Sequence, residues 1–480
     1  MTDQPYSYDT DSTAASIAAG NTGLEPGTET GEVVSIAGRL MLRRVQGKLA
    51  FVTLADSTGR IQLFAPAATT PDFDGFCALD LGDWIGLRGE VMTTRRGELS
   101  VRVDEWVLLA HTRRSFPDKF HGLSDVDTRY RQRYVDLWVT DEARETFAAR
   151  SRVLSFTRRF LEDRGYLEVE TPVFHPIPGG GTATPFTTHH NALDAELYLR
   201  IAPELYLKRL VVGGFEKVFE IARVFRNEGI SNRHNPEFTM LECYEAYGDY
   251  HVHMELTETL VAQLAVELHG TTTVTYDGRE VNLAAPWRRA TMAELTSAQV
   301  GEEVSVHSDP AALGALCEDH GVPTESGWGP GKLLLELYEK TTEATLWDPT
   351  FVMDYPAEVS PLSRSHRDDP DLVERFEGIV VGRELCNGFS ELTDPDEQRS
   401  RFEAQAALRD AGDAEAMAVD RDYLRALDYG LPPTVGLGIG VDRLVMLLTG
   451  SPTIRDVILF PTLRAEVTGG DGEPSAPSGD

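Results

Sequence analysis

The sequence predicts an α+β protein: a small N-terminal β-barrel, then a mainly antiparallel sheet flanked by helices. Three observations predict it. Between residues 32 and 114, five short runs alternate apolar and polar side chains and are punctuated by Gly or Asp turns. Beyond residue 140, strand and helix patterns mix without a regular βαβ rhythm, and no internal repeat organises the chain. At 480 residues, 41% hydrophobic and 25% charged, the chain has material for about two or three globular domains.

Residues 1–31 contain no Lys or Arg and read as a disordered acidic tail, and residues 465–480, "AEVTGGDGEPSAPSGD", read as a similar disordered tail. The runs "VVSIAGRLMLRRV", "LAFVTLADS", "RIQLFAP", "DWIGLRGEVMTTRR" and "LSVRVDEWVLLA" suit a five-stranded closed barrel of the OB type over 32–115, with an SH3-like barrel as the alternative. Residues 116–140 are expected to be a linker or hinge. The second domain, 141–464, opens with the helical pattern "ARETFAARSRVLSFTRRFLEDRG", which Gly165 ends. "YLEVETPVF" then reads as a strand that Pro172 confines to a sheet edge.

Charge narrows the function classes. The chain carries 77 Asp and Glu against 45 Lys and Arg, a net charge of -32, which ordinarily counts against nucleic-acid binding. Residues 32–114 hold 11 basic and 10 acidic side chains, so this segment is +1 and the rest is -33. The barrel is therefore the candidate nucleic-acid face. The N-terminus has neither a basic leader nor a continuous apolar core, and no apolar span reaches membrane length. A cytoplasmic protein without a membrane partner is expected. Cys77, Cys243, Cys317 and Cys386 are far apart, with no CxxC pair, which argues against a disulfide scaffold or structural zinc.

The stretch "FRNEGISNRHNPEFTMLECY", residues 225–244, concentrates both signs of charge between two strand-like runs. Period 2 puts Arg226 and Glu228 on one parity of the incoming run, and Phe238, Glu242 and Tyr244 on one face of the outgoing run. A hairpin would present an aromatic, a guanidinium and carboxylates from one surface. Such a set fits a bound zwitterion or nucleotide; alone, it also fits a solvated hairpin with surface ion pairs. "NGFSE" likewise alternates Asn387, Phe389 and Glu391 onto one face. Two glycine clusters are not nucleotide loops: "PGGGTATPF" lacks the Gly-Lys-Ser/Thr ending of a P-loop, and "GLGIGVDR" has the wrong spacing for GxGxxG.

"GYLEVETPVF", "FRNEGISNRHNPEFTMLE" and "GLGIGVDRLVMLL" resemble the three signatures of class II aminoacyl-tRNA synthetases. The long stretch from "IPGGGTATPF" to "LECYEAY", with "YPAEVSPL", "NGFSEL", "TIRDVILFP" and the barrel's "FVTLADSTGRIQLF", is similar to the lysyl-tRNA synthetase family over residues 32–464. Bacterial members usually carry a helical extension before the barrel, and here a short acidic tail takes that place.

The resemblance implies ATP-dependent formation of lysyl-adenylate, transfer of the lysyl group to tRNA(Lys), Mg²⁺ bound with ATP, and a homodimer built through the Pro172 region. It assigns Arg226 to the α-phosphate and the lysine carboxylate, and Arg443 to the triphosphate and the adenine side. Glu228, His234 and Phe238 complete the ATP site, Phe238 by stacking on adenine. Glu377 and Glu384 would hold the metal. The Gly180 backbone, Glu204 and Glu242 would hold the α-ammonium, Asn387 the carboxylate, and Glu391 with Tyr244 the ε-ammonium; Phe389 completes the lysine pocket. In the barrel, Phe51 would stack on an anticodon base that Gln62 and Glu105 read. Alternatives are an aspartyl- or asparaginyl-type enzyme of the same subclass, whose pocket needs cations or amides, and a paralogue that lysylates protein or regulates through tRNA binding.

Overall fold

The computed structural model describes residues 5–114, 123–412 and 416–465; the expected C-terminal tail lies, but for residue 465, outside them. The chain divides into two compact units, the first reaching to Arg129 and the second starting at Asp141, with Tyr130–Leu137 belonging to the second and Trp138–Thr140 to the first.

In the first unit, helix α1 (Ala14–Gly20) precedes five strands: β1 (Glu29–Gln46), β2 (Leu49–Ala55), β3 (Arg60–Pro66), β4 (Trp84–Thr93) and β5 (Leu99–Ala110). They close a barrel in the order β1-β2-β3-β5-β4. Alternation dictates its interior: Ala50, Val52 and Leu54 of β2 and Leu63 and Ala65 of β3 are buried, and the residues between them face outward. The acidic tail expected over residues 1–31 is corrected in part. Thr13 and Ser16 form a capping box for α1, Ala14 and Ile17 bury against the barrel core, and the Ala14 amide donates to Asp56 at 2.7 Å. Ala14 and Ile17 stand three apart, one helical face, a signal that the tail's polar composition hides.

Of the stretch expected as a linker, residues 116–122 lie outside the described residues, and the rest holds two short helices, Val126–Arg131 and Arg133–Val139. Arg133 is buried, and its guanidinium donates to the carbonyls of Leu459 and Arg455. Helix α2 (Asp141–Glu162) follows, and Gly165 then takes φ +83° at its end. An eight-stranded sheet is built from β6 (Leu167–Glu168), β7 (Lys217–Phe225), β8 (Glu237–Ala246), β9 (Arg288–Thr291), β10 (Thr350–Pro356), β11 (Leu372–Val380), β12 (Arg383–Ser390) and β13 (Thr434–Gly440). Their order is β9-β10-β11-β12-β13-β8-β7-β6, antiparallel except for the outermost pair at each edge. "YLEVETPVF" forms only the two-residue edge strand β6 and, past Pro172, a short strand at Phe174–His175 in a separate sheet. Pro172 has no amide hydrogen to extend the ladder. One face of the large sheet is covered by α2, by α3 (Tyr250–His269) and by α4 (Val441–Thr449), whose apolar sides share a core with Phe219, Leu241, Phe376 and Leu437. The other face carries the site.

Candidate active site

Register aligns the site. Across β11, β12, β13 and β8, one row reads Glu377, Asn387, Gly438, Glu242; the next reads Arg375, Phe389, Gly436, Tyr244. The central strand contributes glycine to both rows. Its missing side chains leave a floor walled on both sides, and a Cβ on Gly436 would collide with the Glu391 carboxylate and the Tyr244 ring. The resulting cavity is about 450 Å³, in the range of small-molecule sites.

Acids gather at one end. Glu204 opens the helix Glu204–Val212, and its Oε1 accepts from Lys208 Nζ at 2.7 Å. Glu242 accepts from the Tyr244 hydroxyl at 3.1 Å; burial, and after it the neighbouring Glu204, raise its carboxyl well above the usual range. Gly180 faces Glu204 with φ +84°, a conformation that glycine takes without strain. Glu391 lies just past the end of β12. Its Oε2 meets Lys208 Nζ at 2.7 Å, and its Oε1 is buried without a hydrogen-bond partner. Burial pushes this carboxyl up, and Lys208 only partly offsets the rise.

Cations gather at the other end. Arg226, Arg233, Arg375 and Arg443 line the cavity with Glu228, His234, Phe238, Glu377 and Glu384. Arg226 Cζ lies 5.2 Å from the Phe238 ring centroid, and its Nε is buried without a partner. Arg375 donates to Asn387 Oδ1 at 3.0 Å and to Glu377 Oε1 at 2.7 Å. Arg443 stands in the first turn of α4, where Asp442 anchors the helix by accepting from Arg150 at 2.6 Å and from the Thr239 amide at 2.7 Å. His234 is bonded to Ser231; partial burial, then Arg443, lowers its pKa, favouring neutral imidazole. The loop 226–236 is held from three sides, by Asn227 on Thr184, by Ile454 on the Asn232 carbonyl and by Thr462 on Asn235.

Two comparisons with known proteins bear on this geometry. The family described as class II tRNA synthetases (D, K and N) matches residues 125–464, and that of OB-fold nucleic acid binding domains matches 34–109. Lysine–tRNA ligase of Burkholderia pseudomallei (strain 1710b) is 54% identical over 443 residues, 90% of this chain and 87% of the relative; that of Synechococcus sp. (strain CC9605) is 54% identical over 455 residues, 93% and 91%. The chain belongs to the lysine–tRNA ligase family.

In this family member the structure gathers Gly180, Glu204, Arg226, Glu228, His234, Phe238, Glu242, Tyr244, Glu377, Glu384, Asn387, Phe389 and Arg443 around one cavity. Two sequence expectations need correction. Arg226 and Glu228 do not belong to a strand: β7 ends at Phe225, both lie in the loop, and no ion pair joins them among the described residues. Glu391 does not extend the strand face of Asn387 and Phe389, because β12 ends at Ser390; it reaches back over Gly436 to a buried lysine. In the barrel, Phe51 and Gln62 share an outer face with Phe64, whose ring centroid is 5.5 Å from that of Phe51. Glu105, exposed on β5, is paired in register with Arg88 of β4. Sequence reading missed Arg375, although it shares the parity of Glu377 on β11, and Lys208, which no local pattern connects to Glu391.

Proposed function

We propose that this protein activates L-lysine with ATP and transfers the lysyl group to tRNA(Lys) for translation in the cytoplasm. The observation that carries this reading is one cavity with carboxylates over a buried lysine in one part and four guanidiniums, set among Glu228, Glu377 and Glu384, in the other. A substrate with two ammonium groups and one carboxylate fits it with the carboxylate toward Arg226 and both ammonium groups among Glu204, Glu242 and Glu391.

In the first step a lysine carboxylate oxygen bonds to the α-phosphorus while the bond to pyrophosphate breaks. The nucleophile is already ionised at neutral pH, so no general base is required. Arg226 offers a planar fork to both the carboxylate and the α-phosphate, holding them in line. Arg443, His234 and Arg233 face the leaving phosphates, where charge develops. Phe238 stacks on adenine, and Glu228 contacts the adenine side. In the second step the terminal ribose hydroxyl of tRNA takes the acyl group and AMP leaves.

The donor set fits a hard divalent cation. Glu377 and Glu384 line the cavity together, and burial, then Glu384, raises the Glu377 carboxyl, the behaviour of a corner with more acid than it ionises unaided. Mg²⁺ bound with ATP would neutralise triphosphate charge there. Leu167, Val173 and Phe174 are exposed around Pro172, which supports a homodimer through that edge. Among the described residues no helix is long and apolar enough to cross a membrane. Anticodon reading rests on Phe51, Gln62 and Glu105 of the barrel, and the barrel's presence favours tRNA over a protein acceptor.

The test is ATP–pyrophosphate exchange with each of the twenty amino acids. Lysine alone should support exchange; aspartate or asparagine doing so would overturn the reading, because neither carries a second ammonium for the acidic end.

A further inference from the structure

Lys208 is fully buried beneath the cavity and takes no direct part in the steps above. Its ammonium lies 2.7 Å from Glu204 Oε1 and 2.7 Å from Glu391 Oε2, two carboxylates that are 187 positions apart in sequence and come from different elements. Each carboxylate thus spends one oxygen on Lys208. Glu204 still lines the cavity, and Glu391 turns its partnerless Oε1 to the space that glycine at 436 leaves open. With lysine bound and all three acids ionised, Glu204, Glu242 and Glu391 against Lys208 leave two negative charges, and lysine brings two ammonium groups.

We propose that Lys208 is a positioning and specificity-determining residue. It aims one oxygen each of Glu204 and Glu391 at the substrate and trims three buried carboxylates to the charge that a diamino acid neutralises. A neutral amino acid leaves one carboxylate without a counter-charge, and a buried unpaired charge is costly. Without Lys208 the same pocket holds three acids for two ammonium groups and must take up a proton. The groups facing Glu391 and Lys208 are Glu204 from the same helix as Lys208, Tyr244 from β8 and Tyr423 from the helix Arg421–Asp428, with Glu242 of β8 beside Glu204 and Tyr244. Lys208 lowers the Glu391 carboxyl against the effect of burial, so its loss moves that titration upward.

The inference rests on the lysine-activating reading, and the experiment separates the two. Lysine-dependent exchange is followed from pH 6 to 9 in wild type, Lys208→Met, Lys208→Arg and Glu391→Gln. Lys208→Met should lower lysine kcat/KM by roughly 100-fold at pH 7, chiefly through KM, and leave the KM for ATP within about threefold. Its acid limb should shift upward by about one pH unit, whereas Lys208→Arg should keep the wild-type limb. A drop that is equal at every pH, or wild-type behaviour of Lys208→Met, overturns the role of Lys208. Wild-type behaviour of Glu391→Gln instead overturns the reading of the pocket. If Lys208→Met does not fold, Lys208→Met with Glu391→Gln removes the excess charge and should recover soluble protein that binds ATP; failure to do so assigns Lys208 to packing.

Discussion

Arg443 Nη1 lies 2.9 Å from Glu384 Oε2 and donates to the Glu384 carbonyl at 2.7 Å. A guanidinium assigned to the triphosphate is thereby paired with a carboxylate assigned to the metal. Burial alone would raise the Glu384 carboxyl; Arg443, helped by Arg226 and Arg375, outweighs it and holds the group below its ordinary value. In the proposed site both residues would exchange this pairing for ligand when ATP binds with Mg²⁺. Arg443→Ala should reduce lysine-dependent pyrophosphate exchange by about 100- to 1,000-fold, the usual loss of one preorganised charge. Tight unfolding transitions in the same variant would confirm that the fold is retained. Exchange at wild-type rates would remove Arg443 from the ATP site.

Glu343 extends the acidic corner. Burial, then Glu384 and Glu339, pushes its carboxyl up to about 7. Between its ordinary value and about 7, Glu343 is protonated in the fold and ionised in the unfolded chain. The folded state then binds more protons, so this group's contribution to stability falls as pH rises through that window. Glu343→Gln removes the cost. Its gain over wild type should be absent near pH 4.5 and reach about 1 to 2 kcal/mol at pH 8, allowing for partial solvent screening. Urea midpoints at both pH values test this, and a pH-independent difference would contradict it.

Phe51 and Gln62 project from the outer face of a barrel that forms its own compact unit. Phe51→Ala and Gln62→Ala should weaken tRNA charging while leaving lysine activation nearly intact. Loss of one stacked base costs on the order of 1 to 3 kcal/mol. Phe64 packs against Phe51, so Phe64→Ala should reproduce part of the effect by loosening the platform. Equal damage to pyrophosphate exchange in any of the three would defeat this division of labour.

What was legible in the sequence follows the range of the forces involved. Period 2 is local, and it placed Phe238, Glu242 and Tyr244 on one face before any tertiary information, as it did Asn387 and Phe389. The open floor at Gly436 and Gly438 was visible only as a glycine cluster that matched no nucleotide loop. Residues beyond a strand end escape the rule: Glu391 keeps the right parity, but its partner Lys208 is set by packing of a helix against the sheet. Arg226 shows the opposite failure, because extending the strand pattern past Phe225 paired it with Glu228 when the loop turns it onto Phe238. The helix Ala14–Gly20 was masked by composition, since its two buried side chains barely alter the average over residues 1–31, which Gly, Ser, Thr and acids dominate.

Glu391 brings the most into one measurement. Selecting lysine over neutral amino acids requires negative charge where the ε-ammonium ends, and the partnerless Oε1 beside Gly436 and Tyr244 provides it. Selecting lysine over arginine requires a pocket too short for a guanidinium, and the Tyr244 ring and Phe389 narrow it. Glu391→Gln preserves volume and keeps an oxygen for Lys208 but removes the charge. The bound ε-ammonium then lacks its counter-ion, a loss of about 3 to 5 kcal/mol when one partner of a buried pair is removed. The effect should fall on lysine kcat/KM, with the KM for ATP nearly unchanged, since the two ends of the cavity bind separate groups. If Glu391 served only to satisfy Lys208, the variant would lose stability while keeping its lysine kcat/KM. Exchange kinetics and a urea midpoint on the same preparation therefore distinguish a substrate-contacting carboxylate from an internal salt bridge, because the first moves kinetics and the second moves only the midpoint.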